Sequence, residues 1–168
     1  MAAAELRAEV TDRTRRERGS LRLVDRLRPG TGHPLSLQLA GAGTAHGMLA
    51  EIGPDWLLLA ESAGREVLVP LTALLSVSGV GQRSEPPGAA GQVARRLDLR
   101  WALRGLARSR AGVALVLTDG SVATGTLDSV GADHVDLAEH APGEARRATA
   151  VRQVRVLPLA ALALVRIS

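Results

Sequence analysis

Residues 18–61 read RGSLRLVDRLRPGTGHPLSLQLAGAGTAHGMLAEIGPDWLLLAE, and they lie without a gap over residues 96–139, RLDLRWALRGLARSRAGVALVLTDGSVATGTLDSVGADHVDLAE. The identities include Arg18/Arg96, Arg22/Arg100, Arg26/Arg104, Leu37/Leu115, Leu39/Leu117, Gly47/Gly125, Leu49/Leu127, Gly53/Gly131 and Asp55/Asp133. Biased composition inflates chance Leu, Ala and Arg matches, so the Gly and Asp pairs carry more weight. The match resumes with ten extra residues in the second stretch, where Val69-Pro70-Leu71-Thr72-Ala73-Leu74 lies over Leu157-Pro158-Leu159-Ala160-Ala161-Leu162. Self-similarity at a long fixed offset is the signature of a repeated structural unit.

Within each stretch the apolar period changes. Leu21, Val24 and Leu27 recur at helical steps, as do Leu99, Ala102, Leu103 and Leu106. Leu35, Leu37 and Leu39 then alternate with polar residues, and Val113, Leu115 and Leu117 recur at the same two-residue step. Turn signals follow at Gly41-Ala42-Gly43 and Asp119-Gly120, then at Gly53-Pro54-Asp55 and Gly131-Ala132-Asp133. The reading is a mainly β chain with helices, a tandem duplication of a helix plus a five-stranded barrel. The expected domains are 1–78, an N-terminal extended helix plus barrel 1, and 92–168, a helix plus barrel 2. Between them, 79–91 contains Pro86-Pro87-Gly88 and reads as a flexible linker.

The order helix, strand, Gly-rich turn, then Gly-x-Leu-x-x-apolar resembles the Sm-like family of SH3-like small barrels. Gly47-Met48-Leu49-Ala50-Glu51-Ile52 and Gly125-Thr126-Leu127-Asp128-Ser129-Val130 carry the resemblance, with Val69 to Val77 and Leu157 to Val165 as closing strands. It implies barrels that assemble through edge strands, for which Val156 to Ile167 is a suitable apolar edge. The family's RNA pocket does not carry over. Gly53-Pro54-Asp55-Trp56-Leu57 and Val69-Pro70-Leu71 lack the polar, base-contacting groups that such a pocket needs.

Composition narrows the function classes. The chain has no Cys, Phe or Tyr and only two Trp, Trp56 and Trp101, and every one of its 21 basic residues is Arg. A GC-rich genome explains much of that bias. The absence of Cys excludes disulfides and Cys-ligated zinc and fits a reducing cytoplasm. The N-terminus is too charged for a signal peptide, and no apolar run is long enough to span a membrane. The net charge of +4 is uneven: residues 1–30 and 86–111 are rich in Arg, while 31–85 carry excess acid.

The most distinctive polar feature is a pair of i, i+4 arginine rows. Arg18, Arg22 and Arg26 are expected along one helix, and Arg96, Arg100, Arg104 and Arg108 along the other. That spacing keeps the side chains on one slowly drifting face, suited to a phosphate backbone. The competing reading makes them solvated faces, or partners of the mildly acidic barrels. Asp133, His134, Asp136 and His140 suggest a metal site, but Trp56 and Leu58 replace two of them in the matching stretch, so chance polar residues are preferred and no metal or other cofactor is expected. Gly41 to Gly47 superficially resembles a phosphate loop, yet alternation continues after it, as in a hairpin. No catalytic constellation is visible, and Asp55 and Asp133 fit turn chemistry. The expected function is a non-enzymatic, cytoplasmic module that contacts RNA or DNA through its Arg-lined helices. The alternative is a protein-interaction or scaffolding role, as a homo-oligomer or with a protein partner, through barrel edge strands.

Overall fold

The computed structural model describes residues 2–168; Met1, the first residue of the expected N-terminal domain, lies outside them. Helix α1 (Ala2–Gly19) and the short α2 (Leu23–Leu27) precede strands β1 (Pro34–Leu39), β2 (Gly43–Ile52), β3 (Trp56–Ala60), β4 (Glu66–Pro70) and β5 (Leu74–Ser78). Helices α3 (Gln92–Arg96) and α4 (Leu99–Ser109) lead into β6 (Gly112–Leu117), β7 (Val122–Val130), β8 (His134–Glu139), β9 (Gln153–Pro158) and β10 (Leu162–Ile167). No described helix is long and apolar enough to cross a membrane.

The expected tandem pair of closed five-stranded barrels does not form. The ten strands make one open antiparallel sheet in the order β5-β1-β2-β3-β4-β10-β6-β7-β8-β9. The physical reason lies in the middle of that order. The free edge of β4 takes up β10, with Leu68 opposite Val165 and Glu66 opposite Ile167. β10 in turn pairs with β6.

The sheet does not divide into two repeated units either, because its central strands serve two cores at once. One core holds Leu27 of α2 with Leu37, Leu49, Leu57, Leu59, Val67 and Val69. The other gathers Leu99 and Leu103 of α4 with Leu115, Leu127 and Leu137. Trp56 and Leu68, which alternate with Leu57, Leu59, Val67 and Val69 along β3 and β4, belong to the second core. Across the junction, Val165 of β10 and Leu115 of β6 face that core, while Leu164 and Val116 face the first. A strand buried on both faces needs an uninterrupted apolar run, and Trp-Leu-Leu-Leu-Ala in β3 and Val-Leu-Val in β4 supply it.

The matched glycines have a local cause. A Cβ on Gly47 would stand 2.6 Å from the Ala60 carbonyl oxygen, and one on Gly125 would stand 2.0 Å from that of Ala138. Strands β2 and β7 each press a backbone against the next strand there, so only Gly fits. The segment 79–91 is tied to α2: the Glu85 N–H donates to the Asp25 carbonyl at 2.9 Å, and Arg26 donates to the Gly81 carbonyl at 3.2 Å.

Shared cores make a shared transition. Urea unfolding followed by Trp fluorescence and by far-UV circular dichroism should give one coincident curve. Leu68→Ala should lower stability by about 2–5 kcal/mol without splitting it. Two separated transitions, one per half, would contradict this account of the junction.

Candidate nucleic-acid interface

The anticipated arginine rows are broken by helix ends. Arg18 lies on the last turn of α1, and Arg22 is the extended residue that caps α2, with ψ 159°. Arg26 is half-buried on α2 and spends one guanidinium N–H on Gly81. These three therefore do not share one helix face. Arg96 ends α3, after which Leu97 and the extended Asp98 interrupt the helix. Only Arg100, Arg104 and Arg108 stay in register, on α4.

Local chemistry explains where α4 starts and how it is held. The Asp98 carboxylate accepts the Trp101 N–H at 3.0 Å, an N-cap that satisfies one orphan donor of the first turn. It also takes two bonds from Arg100, at 2.6 and 2.8 Å, so Arg100 is already partnered. Burial opposes the charge on Asp98, but the Trp101 N–H and Arg100 outweigh it and hold the carboxyl below its ordinary value. From the β2–β3 turn, Asp55 accepts the Leu99 N–H at 2.8 Å, and the Trp56 indole donates to the Leu97 carbonyl at 2.7 Å. Burial raises the Asp55 carboxyl despite its bond from Leu99.

The apolar stripe of α4, with Leu99 and Leu103 fully inserted, turns its opposite face to solvent. Arg104 and Arg108 are exposed on that face and have no ion pair or hydrogen bond among the described residues. They line a groove of about 430 Å3 with Arg110, Asp128, Ser129 and Val130. Arg110 and Arg146 share the adjoining cavity of about 260 Å3. Arg146 bonds Asp128 through both Nε and Nη2, and Arg110 reaches the same carboxylate at 3.3 Å. The Arg146 hydrogen bond is the main reason the Asp128 carboxyl sits below its usual range. One carboxylate thus orients two guanidiniums, while two more stand beside it with no ion pair or hydrogen bond of their own among the described residues.

Arg110 was not foreseen as a site residue. It closes α4 in the left-handed region at φ 55°, and among the described residues it is the one non-glycine with positive φ. Its N–H reaches the Ala107 and Leu106 carbonyls, a helix end that glycine usually supplies. An L side chain there costs about 1–2 kcal/mol. Retaining arginine in spite of that strain keeps its guanidinium over Asp128. Nothing in Ser109-Arg110-Ala111 signals such a turn, and Arg146 lies in the stretch of the second half that has no counterpart in the first.

The residues considered for a metal are engaged elsewhere. Buried His140 sits between the Thr126 hydroxyl at 2.8 Å and the Ala141 carbonyl at 3.0 Å. Asp133 faces the His134 ring at 2.9 Å, and Asp136 accepts from the Ser129 hydroxyl. Among the described residues no three His, Asp or Glu side chains gather as ligands. The Gly41 to Gly47 segment turns from β1 into β2, with no helix after it.

No protein-family model matches this chain, and no curated protein is significantly similar to it in sequence.

The two carboxylates at the start of α4 predict opposite pH behaviour. Asp98, depressed in the folded state, stabilises fully above its unfolded value, and that contribution fades as pH falls through the folded one. Asp98→Ala should therefore cost about 1 kcal/mol near neutral pH and progressively less towards pH 3. Asp55, raised by burial, opposes folding once ionised. Asp55→Asn keeps an acceptor for Leu99 and should be no less stable than the parent at neutral pH. Urea titrations at several pH values check both, and a large loss in Asp55→Asn would contradict the assignment.

Proposed function

We propose that this protein is a non-enzymatic, cytoplasmic nucleic-acid-binding module whose contact surface is the exposed face of α4, extended by Arg110. The observation that carries the reading is the convergence of Arg104, Arg108 and Arg110 on one groove, with the first two making no ion pair or hydrogen bond among the described residues. Phosphate oxygens are the ligands such guanidiniums suit, through paired N–H donors in a planar fork. A regular helix row at i, i+4 spaces successive cations for successive phosphates. Arg100 lies at the start of this row with part of its capacity held by Asp98, and Arg96 extends the charge beyond the helix. Arg18, Arg22 and Arg26 belong to a different part of the molecule and are not assigned to this surface.

A second reading rests on a different observation. The sheet ends in two strands, β5 and β9, that each have a neighbour on one side only. Leu75, Val154 and Val156 on them are exposed by 67%, 55% and 60%. Unpaired edges with apolar side chains are templates for further strand pairing, either with a second copy or with another protein.

Fluorescence anisotropy with labelled RNA and DNA across a salt titration separates the two. The first reading expects binding that weakens steeply with salt, and Arg104→Glu with Arg108→Glu should remove about two units of that log–log slope along with most of the affinity. Unchanged binding in the double variant would refute it. The second expects assemblies in light scattering at micromolar concentration that Val156→Lys dissolves. A monomeric parent protein would refute pairing with a second copy.

A further inference from the structure

On the other flank of α4 lies a second cavity, of about 230 Å3, between the helix and the sheet. Leu58 of β3 and Leu68 of β4 form its floor, with Trp101 and Leu106 on the helix side. Register places Glu51 across from Leu58, and Leu58 across from Leu68. Glu51 and Glu66 line the strand side of the cavity and Arg108 the helix side. Neither glutamate side chain has a hydrogen bond or ion pair among the described residues. Trp101 stacks on Trp56, with centroids 6.3 Å apart and planes at 26°, yet remains 42% exposed. Arg108 also lines the basic groove, so the two sites adjoin.

Each feature specifies part of a ligand. An indole with free surface takes a flat ring, and base–aromatic stacking is the usual form of such a contact with single strands. Pockets for drug-sized molecules run about 300–1,000 Å3, so this cavity suits a smaller body such as one base. An unpaired carboxylate accepts from N–H donors. On its Watson–Crick edge, guanine presents N1–H and N2–H side by side, which one carboxylate accepts together. Adenine, cytosine and uracil each place an acceptor next to their donor there, facing the carboxylate with a lone pair. Opposite charges at the two sides of the cavity match a nucleotide, with its N–H donor edge towards the glutamates and its phosphate towards Arg108.

We propose that this cavity holds an unpaired guanine of a single strand whose phosphates lie along Arg104 and Arg108. Trp101 stacks the base, and Glu51 or Glu66 accepts from its Watson–Crick N–H groups. The proposal rests on the nucleic-acid reading of α4 and adds to it both strandedness and base preference. A base held in a duplex cannot offer that edge, so the ligand is single-stranded.

The chain contains two Trp and no other aromatic residue, which makes its fluorescence a direct reporter of the cavity. The full chain is titrated at low salt with a uridine nonamer, with the same nonamer carrying one central guanosine, with one carrying a central adenosine, and with guanosine monophosphate. The guanosine nonamer should quench Trp fluorescence and bind roughly tenfold more tightly than the other two nonamers. Glu51→Gln combined with Glu66→Gln should abolish that preference while leaving uridine-nonamer binding and its salt dependence intact. Trp101→Leu should weaken the guanosine nonamer by roughly tenfold. Equal affinity for all three nonamers would overturn the inference and leave the basic groove standing. No binding of any nonamer would overturn both. Guanosine monophosphate binding as tightly as the guanosine nonamer would overturn the single-strand source in favour of a free nucleotide.

Discussion

Burial of β3, β4 and β10 on both faces is the constraint from which the rest of the structure follows. Leu57, Leu59, Val67, Val69 and Leu164 fill one core, while Trp56, Leu68, Leu162 and Val165 fill the other. Separating the halves would bring one face of each of these strands into water. A fully buried Leu or Val contributes about 1.5–3 kcal/mol relative to exposure, so several together are comparable with the whole stability of a small domain. The halves are consequently one folding unit, and the antiparallel pairing of β4 with β10 is a consequence of that burial as much as a cause.

The same junction positions α4. Its start is gripped by residues of the other half, through Asp55 to Leu99 and Trp56 to Leu97, while its body packs over β7. The helix therefore has two flanks of different chemistry. Towards β7 the flank is basic, where Asp128 organises Arg110 and Arg146. Towards β3 and β4 it is apolar, roofed by Trp101 with carboxylates on the strand side. Arg108 borders both. A ligand with a flat apolar ring and an anionic backbone is the natural complement of that arrangement, and the apolar flank would not exist if the two halves were independent.

Much of the local structure was legible in the sequence, and the assembly was not. Alternation in Leu35 to Leu39 and the Gly-Pro-Asp and Gly-Ala-Asp turns are short-range signals that the strands obey. The i, i+4 rows were overextended because Asp98 is a helix N-cap that stops one helix and starts the next. The closed barrels failed for a reason the sequence did contain. Trp56 to Ala60 and Val67 to Val69 do not alternate with polar residues, and a strand with one solvated face would. That run marks strands sandwiched between cores, but periodicity cannot say which second core covers them. The strained Arg110 carried no signal, since its backbone is set by the helix end and its side-chain position by a distant aspartate.

Amide hydrogen exchange resolved by segment tests the shared-strand account most directly. The account predicts that residues 66–70 and 162–167 exchange last in the molecule, on the timescale of global unfolding, whereas the outer strands 74–78 and 153–158 exchange much earlier. Exchange of 66–70 and 162–167 as fast as those edges, with the interior of either half still protected, would mean that the junction opens on its own and would contradict it.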